Sequence, residues 1–239
     1  MKLLRSKDRK VTNLATPNGK QAKIANTFGL PAGLAYSCPG ATSICEKICY
    51  AGKLEKIFPS MRKNLLQNWA IVKSANEEVL ESLLHDMIVS FKKECEKNNV
   101  EKLFRIHWDG DFFSPLYARV WRKVIKNHTD VQFWVYTRVG YAAAVLHDID
   151  NLSLYFSTDD DNVDVAVYLH KTYKVKLAFL DETFEQGMAK IKALIGEGGV
   201  KCPENNKKIP LISDGKGACV KCGLCVHNRN HVLFSIRKK

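Results

Sequence analysis

Residues 131–137 read VQFWVYT, a run in which every residue except Gln132 is β-branched or aromatic. Side chains of this kind suit a pleated strand that is buried on both faces. Three further runs have the same character: residues 103–107 (LFRIH), 152–157 (LSLYFS) and 175–180 (VKLAFL). The sequence therefore predicts four buried strands.

Amphipathic stretches separate these runs and predict helices at about 60–73, 76–98, 114–127, 141–148, 160–171 and 184–195. Ser114 followed by Pro115 is typical of a helix start, because proline fits the first helical position. Strands that alternate with helices favour a parallel sheet. The predicted fold class is α/β, either a partial (βα) barrel or an open parallel sheet.

Polar side chains follow each predicted strand. In parallel sheets the carboxyl ends of the strands share one edge, and ligands bind there. We therefore expect a binding site at this edge. The residues are His107, Asp109 and Asp111 after the first strand, Thr137 and Arg138 after the second, Ser157 and Asp159 at the third, and Asp181 and Glu182 after the fourth.

The net charge of +12 is concentrated at the two ends of the chain. Residues 1–25 carry a net +6 and residues 201–239 a net +7, whereas the middle carries −1. If the ends meet in space, they form a positive surface that suits nucleic acid or a nucleotide. Two solvated lysine-rich tails would give the same count.

No apolar run approaches the roughly 20 residues that a membrane-spanning helix needs. The first residues, MKLLRSKDRK, become charged before the apolar core of a signal peptide can form. We expect a cytoplasmic protein with no membrane partner. In a reducing compartment, clustered cysteines more often bind metal than form disulfides.

The first cysteine cluster lies in residues 37–52 (SCPGATSICEKICYAG), where Cys38, Cys45 and Cys49 have the spacing C-x(6)-C-x(3)-C. A [4Fe-4S] cluster normally takes four cysteines. Three thiolates leave one iron free for a substrate or cofactor. The alternative is a zinc site whose fourth ligand comes from elsewhere, such as His107.

The second cysteine cluster has the spacing C-x(2)-C-x(2)-C at Cys219, Cys222 and Cys225, with Cys202 before a proline as the fourth ligand. This arrangement is typical of a ferredoxin-like cubane, and zinc is the alternative metal. We predict an α/β domain over residues 1–199, which includes the three-cysteine loop, and a cysteine-rich, cluster-binding C-terminal appendage over residues 200–239. The eighth cysteine, Cys95, matches neither set.

Several motifs occur in an order that resembles the phage-encoded gene product 88 family over most of the chain. They are GLPAG (29–33), CPGAT (38–42), CYAG (49–52), RIHWDGDFFS (105–114), VYTR (135–138) and the final cysteine set. That family is similar to phage proteins with a C-Y-A cysteine loop that are grouped with radical S-adenosylmethionine enzymes. Those enzymes usually have C-x(3)-C-x(2)-C; here Cys45 and Cys49 keep the first interval, and the third thiol lies upstream.

The resemblance implies a fold of the radical S-adenosylmethionine type, with S-adenosylmethionine on the open iron, an auxiliary cluster on the tail and an electron donor as a partner. By position, Asp111, and after it Asp109, would bind the amino group of the cofactor. Further expected contacts are Thr137 and Arg138 with a carboxylate or phosphate, and Ser157 and Asp159 with ribose hydroxyls. His107, Asp109 and Asp111 are the candidate catalytic residues.

Two functions follow as hypotheses. The first is an iron-sulfur enzyme of the radical S-adenosylmethionine kind, with two clusters, acting on an anionic or nucleic-acid-related substrate. The second is a non-catalytic nucleic-acid-binding protein whose zinc or iron-sulfur sites only stabilise the fold.

Overall fold

The four predicted strands lie next to one another in a single parallel sheet in the structure, a computed structural model that describes residues 1–237. The α/β class with a parallel sheet is thereby confirmed. The bounds are Leu103–Ile106 (β1), Gln132–Thr137 (β2), Leu152–Thr158 (β3) and Lys176–Asp181 (β4).

Two further strands, which the sequence analysis did not predict, extend the sheet. They are Gly199–Lys201 (β5) and His231–Ser235 (β8). A separate antiparallel hairpin, formed by Ile212–Ser213 (β6) and Lys216–Gly217 (β7), lies between β5 and β8 in the chain. The strand order is β1-β2-β3-β4-β8-β5, with every neighbouring pair parallel. This six-stranded arrangement is consistent with the open sheet.

The six predicted helices are present, and each begins and ends within three residues of its predicted position. Within residues 1–237 the structure adds three short α-helices that were not predicted, all in the two cysteine-containing segments. Ser114 caps α5 by accepting a hydrogen bond from the amide of Tyr117, and Pro115 is the first helical residue, as predicted. The bounds are Ser43–Ile48 (α1), Tyr50–Ile57 (α2), Pro59–Ser74 (α3), Glu77–Lys97 (α4), Pro115–Asn127 (α5), Gly140–Leu146 (α6), Val163–Tyr173 (α7), Phe184–Ile195 (α8) and Ala218–Cys222 (α9).

The main hydrophobic core lies on one face of the sheet, between its strands and helices α4 to α8. Phe104, Phe133 and Phe179 of the strands and Trp121 of α5 all belong to this core, and all four are buried. Burial of large aromatic side chains is the dominant favourable contribution to such a core.

The N-terminal segment covers the free edge of β1. Arg105 donates its amide to the carbonyl of Asn26 (3.0 Å), and Trp108 donates its amide to the carbonyl of Phe28 (2.9 Å). Because an uncovered edge strand leaves its backbone groups unpaired, this segment completes the hydrogen bonding of β1.

The cysteine-rich C-terminal segment packs against the other face of the sheet. Ser153 donates its hydroxyl to the carbonyl of Val226 (2.7 Å), and Tyr155 donates its hydroxyl to the carbonyl of Leu224 (3.3 Å). The chain then continues into β8, which pairs with β4 on one side and β5 on the other. The segment that was predicted as an appendage thus supplies an interior strand of the main sheet.

Within residues 1–237, the structure contains no helix of the length and apolarity that crossing a membrane requires.

Candidate metal centre

The loop that carries Cys38, Cys45 and Cys49 lies at the carboxyl edge of the sheet, where the sequence predicted a binding site. Ser37 fixes the start of this loop: its hydroxyl donates to the carbonyl of Pro31 (2.7 Å) and accepts from the amide of Asp111 (3.3 Å). Gly40 fixes its middle, because a Cβ there would lie 2.4 Å from the carbonyl oxygen of Arg138. The loop backbone thus lies directly against the ends of β1 and β2.

A buried polar network connects the cysteine loop to β2 and β3. Arg138 donates from Nη1 to Oδ2 of Asp159 (2.7 Å), and Thr42 donates its hydroxyl to the same oxygen (2.7 Å). Thr42 is also the N-cap of α1 and accepts a hydrogen bond from the amide of Cys45 (3.0 Å). Since Asp159 is fully buried, this network fixes the position of Cys45 relative to the strand ends.

Asp111 binds the two neighbouring strand ends together. Its carboxylate accepts hydrogen bonds from the hydroxyl of Thr137 (2.6 Å), the amide of Arg138 (2.8 Å) and the amide of Phe112 (2.8 Å). Burial raises the pKa of Asp111 to about 6, although these hydrogen bonds oppose the shift. Because three donors already occupy this carboxylate, little capacity remains for a ligand.

Asp109 differs from Asp111 in its hydrogen bonds. Its Oδ1 accepts the amide of Gly110 (2.9 Å). Its Oδ2 is buried and accepts no hydrogen bond from an N–H or hydroxyl group within residues 1–237, and the carboxyl of Glu55 lies within hydrogen-bonding reach. Burial, and after it the carboxyl of Glu55, raises the pKa of Asp109 to about 8. Asp109 therefore accepts fewer hydrogen bonds from N–H and hydroxyl groups than Asp111 does.

Glu55 was not predicted as a site residue. It lies in α2, is buried, and accepts the amide of Ala32 with Oε1 (2.8 Å). Ala51 and Glu55, four residues apart, are the buried residues of α2. The sequence feature that could have identified Glu55 is therefore an acidic residue at a position that the helical period places on the buried side of α2.

The three thiols share one electrostatic environment. Burial raises the pKa of Cys38 to about 12, and the nearby charges of Asp111 and Asp109 act in the same direction. Burial also raises the pKa of Cys45 and of Cys49; the charge of Cys49 adds to the first shift, and that of Asp109 adds to the second. A bound metal cation reverses these shifts, since coordination deprotonates a thiol.

The second cysteine set lies over the face of the sheet that the helices leave free. Burial raises the pKa of Cys225 to about 12, with the thiolates of Cys202 and Cys222 adding to the shift. Burial likewise raises the pKa of Cys219, and the charges of Cys225 and Cys202 act in the same direction. The four thiols that the spacing grouped together are therefore neighbours in space.

Arg105 was also not predicted as a site residue. Its guanidinium lies 5.5 Å from the ring centre of Tyr136 and 3.7 Å from a carboxylate oxygen of Asp8. Its positive charge opposes the rise in the pKa of Cys219. Arg105 thus places a cation beside the four-cysteine set.

His107 points into the hydrophobic core below α5. Its Nε2 is 2.9 Å from the hydroxyl of Tyr117, and its ring packs against Phe112 and Trp121. Burial lowers the pKa of His107 to about 3. Within residues 1–237 it forms no hydrogen bond with a thiol, so the structure does not bring it to the cysteine loop.

Ser157 is half-buried in β3, and its carbonyl accepts a hydrogen bond from the side chain of Asn162 (3.1 Å). Of the predicted site residues, the structure brings Asp109, Asp111, Thr137, Arg138 and Asp159 to the cysteine loop.

A separate cluster of His170, Glu197 and His231 lies near the amino ends of β4 and β8. Within residues 1–237 these are the one set of three His, Cys or acidic residues whose ligand atoms all lie within 4.8 Å of one another. However, Leu177 donates its amide to Nδ1 of His231 (2.9 Å). The proton of neutral His231 is then on Nε2, which faces Glu197 (3.1 Å) and has no lone pair for a metal.

The two basic ends of the chain meet in the structure, as the nucleic-acid interpretation of the charge pattern required. Gly217 donates its amide to the carbonyl of Thr12 (2.8 Å), and Ala15 donates its amide to the carbonyl of Gly215 (2.7 Å). Lys10 and Glu204 form an ion pair across the same contact (2.9 Å). Binding of nucleic acid by these ends stays a prediction.

Comparison with known proteins agrees with the motifs. A family model described as gene product 88 matches residues 1–228. The gene 88 protein of Mycobacterium phage L5 is 50% identical over 243 residues, which cover 100% of this chain and 99% of that protein. The gene 88 protein of Mycobacterium phage D29 is 49% identical and covers 99% of each chain. No solved structure matches.

Proposed function

For this chain, which belongs to the gene product 88 family of phage proteins, we propose an iron-sulfur enzyme with one open-site [4Fe-4S] cluster. Cys38, Cys45 and Cys49 hold this cluster, and S-adenosylmethionine occupies its open iron. The observation that carries the proposal is a buried carboxyl, Asp109, that lies beside the carboxyl of Glu55 and close to the thiols of Cys38 and Cys49.

The spacing of the second cysteine set along the chain supports an iron-sulfur cluster there. C-x(2)-C-x(2)-C with a remote cysteine before a proline is the arrangement that ferredoxins use for a cubane. Zinc stays the alternative metal at both sets.

Asp109 and Glu55 supply negative charge for a ligand's ammonium group. Burial and the neighbouring charge of Glu55 raise the pKa of Asp109, because an ionised carboxyl in this position is unfavourable without a cation. An ammonium group placed here forms charge-assisted hydrogen bonds with the carboxylates. This gives the amino group of S-adenosylmethionine a defined position beside the thiols.

Asp111, Thr137, Arg138 and Asp159 act as positioning residues in this proposal. Arg138 is already paired with Asp159, and Asp111 is already bonded to Thr137. They hold the cysteine loop against the strand ends, and the contacts expected of them with carboxylate or ribose groups stay predictions.

A cluster held by Cys38, Cys45 and Cys49 would supply the one electron that cleaves the sulfonium bond of S-adenosylmethionine. Cys202, Cys219, Cys222 and Cys225 hold an auxiliary cluster in the same proposal, and a separate electron donor reduces the protein. An auxiliary site on the sheet face, beside the cation of Arg105, suits electron storage because a nearby positive charge favours the reduced state.

One observation favours the second candidate, a non-catalytic nucleic-acid-binding protein with structural metal sites. Backbone hydrogen bonds hold residues 12–15 of the basic N-terminal end against residues 215–217 of the basic C-terminal end. In that case both cysteine sets would only stabilise the fold.

Metal and sulfide analysis of the full chain, purified without oxygen, tests the proposal. We expect about eight iron and eight sulfide per chain, Cys45→Ala to lose about half of each, and Cys222→Ala to lose the other half. The matched control is Cys95→Ala, in α4 and outside both sets, which should keep the full content. About two zinc per chain without sulfide would overturn the iron-sulfur assignment.

A further inference from the structure

Helices α1 and α2 and the first turn of α3 carry an exposed basic surface beside the cysteine loop. Between residues 43 and 63 the chain has five basic and two acidic side chains, and none of the five forms an ion pair within residues 1–237. The five are Lys47, Lys53, Lys56, Arg62 and Lys63.

The folded structure increases this charge imbalance at the surface. Of the two acidic residues, Glu55 is turned into the protein towards the amide of Ala32, and Glu46 alone is exposed. Total charge along the chain did not indicate this surface, because the acidic helices elsewhere in the middle of the sequence cancel it. Unpaired cations on one surface attract a polyanion.

Two aromatic rings lie exposed among these cations. Tyr50, the first residue of α2, is 46% exposed, although its hydroxyl donates to the carbonyl of Trp108 (3.1 Å). Phe58, at the other end of α2, is 47% exposed. The hydroxyl bond fixes the position of the Tyr50 ring, and an exposed aromatic ring offers a flat surface on which another ring can stack.

Lys10 joins this surface to the basic ends of the chain. Its ammonium lies 5.7 Å from the ring centre of Tyr50, and it pairs with Glu204 from the C-terminal segment. Tyr50 directly follows Cys49 in the chain. A ligand held on this surface therefore lies next to the open cysteine site.

We propose that this surface binds single-stranded nucleic acid, with the lysines of α1 and α2 contacting phosphates and bases stacking on Tyr50 and Phe58. Stacking on exposed rings requires bases that are free of a partner strand, which a duplex does not offer. The inference adds a substrate class to the proposed function. It rests on that function only for the reaction at the cysteine site. Binding itself is independent of the metal.

Fluorescence anisotropy of the full chain with a labelled 20-nucleotide oligothymidine, and with a duplex of the same length, tests the inference. We expect tighter binding of the single strand, and affinity that falls linearly in log salt with a slope of about −0.7 per phosphate contact. Lys53→Glu combined with Lys56→Glu should weaken binding by roughly tenfold or more and reduce the slope by about 1.4. Phe58→Ala should weaken binding by roughly fivefold or more with little change in the slope.

The matched control is Lys93→Glu combined with Lys97→Glu, which changes the same charge on two exposed lysines of α4. This control should bind more tightly than the α2 variant at every salt concentration. Equal affinities of the two double variants, or equal affinity of wild type for single strand and duplex, would overturn the inference. Iron and sulfide content, measured on the same samples, tests the metal proposal separately. If samples without iron still show the difference in affinity between the two double variants, only the metal proposal is contradicted.

Discussion

Asp109 and Glu55 form a buried pair of carboxyl groups at the carboxyl edge of the sheet. Burial raises the pKa of Asp109 to about 8, and the charge of Glu55 adds to this shift. The two groups come from distant segments of the chain: Asp109 lies in the loop after β1, and Glu55 lies in α2. Their proximity is a local cost in stability that a ligand cation removes.

We predict that Asp109 makes the metal-free chain less stable as pH rises. A carboxyl whose pKa is raised in the folded state contributes stability fully below its unfolded pKa of about 4 and loses it as pH approaches 8. Between pH 4.5 and 8, Asp109→Asn should gain about 1–3 kcal/mol relative to wild type, measured by urea unfolding at each pH. A constant difference between the two proteins over this range would contradict the assignment.

The ion pair of Arg138 and Asp159 should stabilise the cysteine loop. Both side chains are largely buried, at 11% and 1% exposure, so removal of one partner leaves an uncompensated charge. Asp159→Asn should cost about 3 kcal/mol of unfolding free energy and speed up hydrogen exchange of the Cys45 amide, which Thr42 binds.

Asp161→Asn is the control for that variant. Asp161 also contacts the loop, through the amide of Ser43 (3.1 Å), but this contact is exposed. We expect a cost below about 1 kcal/mol. A similar cost for both variants would show that the buried pair does not hold the loop.

Gly40 and Gly52 should differ in how they tolerate a methyl group. A Cβ on Gly40 would meet the carbonyl of Arg138 at 2.4 Å, whereas the nearest atom to a Cβ on Gly52 is 3.6 Å away. Gly40→Ala should destabilise the chain by about 2 kcal/mol or more and reduce the iron content. Gly52→Ala, inside α2, should be neutral or stabilise by about 0.5–1 kcal/mol. Thermal unfolding and iron analysis of both variants decide this, and equal tolerance would place the loop away from β2.

The sequence predicted the elements whose signals are local. Helix α4 has a capping Asn76, acidic residues in its first turn and a long apolar stripe, all visible in the order of residues. Strand β8 was missed because residues 231–235 follow a loop of Gly, Cys and Asn and form an isolated run of five. Its position between β4 and β5 depends on pairing with residues about fifty positions earlier, which no local pattern indicates.

For the candidate site, too, the sequence predicted only the features that have local signals. Cysteine spacing grouped the thiols, and the strand ends indicated the edge where they lie. The bond from Thr42 to Asp159 joins residues 117 positions apart, and the inward turn of Glu55 depends on how α2 packs. Long-range contacts of this kind pair several of the predicted ligand residues, such as Arg138 and Asp159, with each other, and the sequence did not indicate this pairing.

The electron paramagnetic resonance spectrum of the reduced, fully iron-loaded protein, recorded with and without S-adenosylmethionine, tests the central claim most directly. The account predicts that S-adenosylmethionine changes the signal of one cluster, because one iron has no protein thiolate, and that Asp109→Asn weakens this effect while the iron content stays unchanged. An identical spectrum with and without S-adenosylmethionine in a protein that carries both clusters would contradict the open-site account.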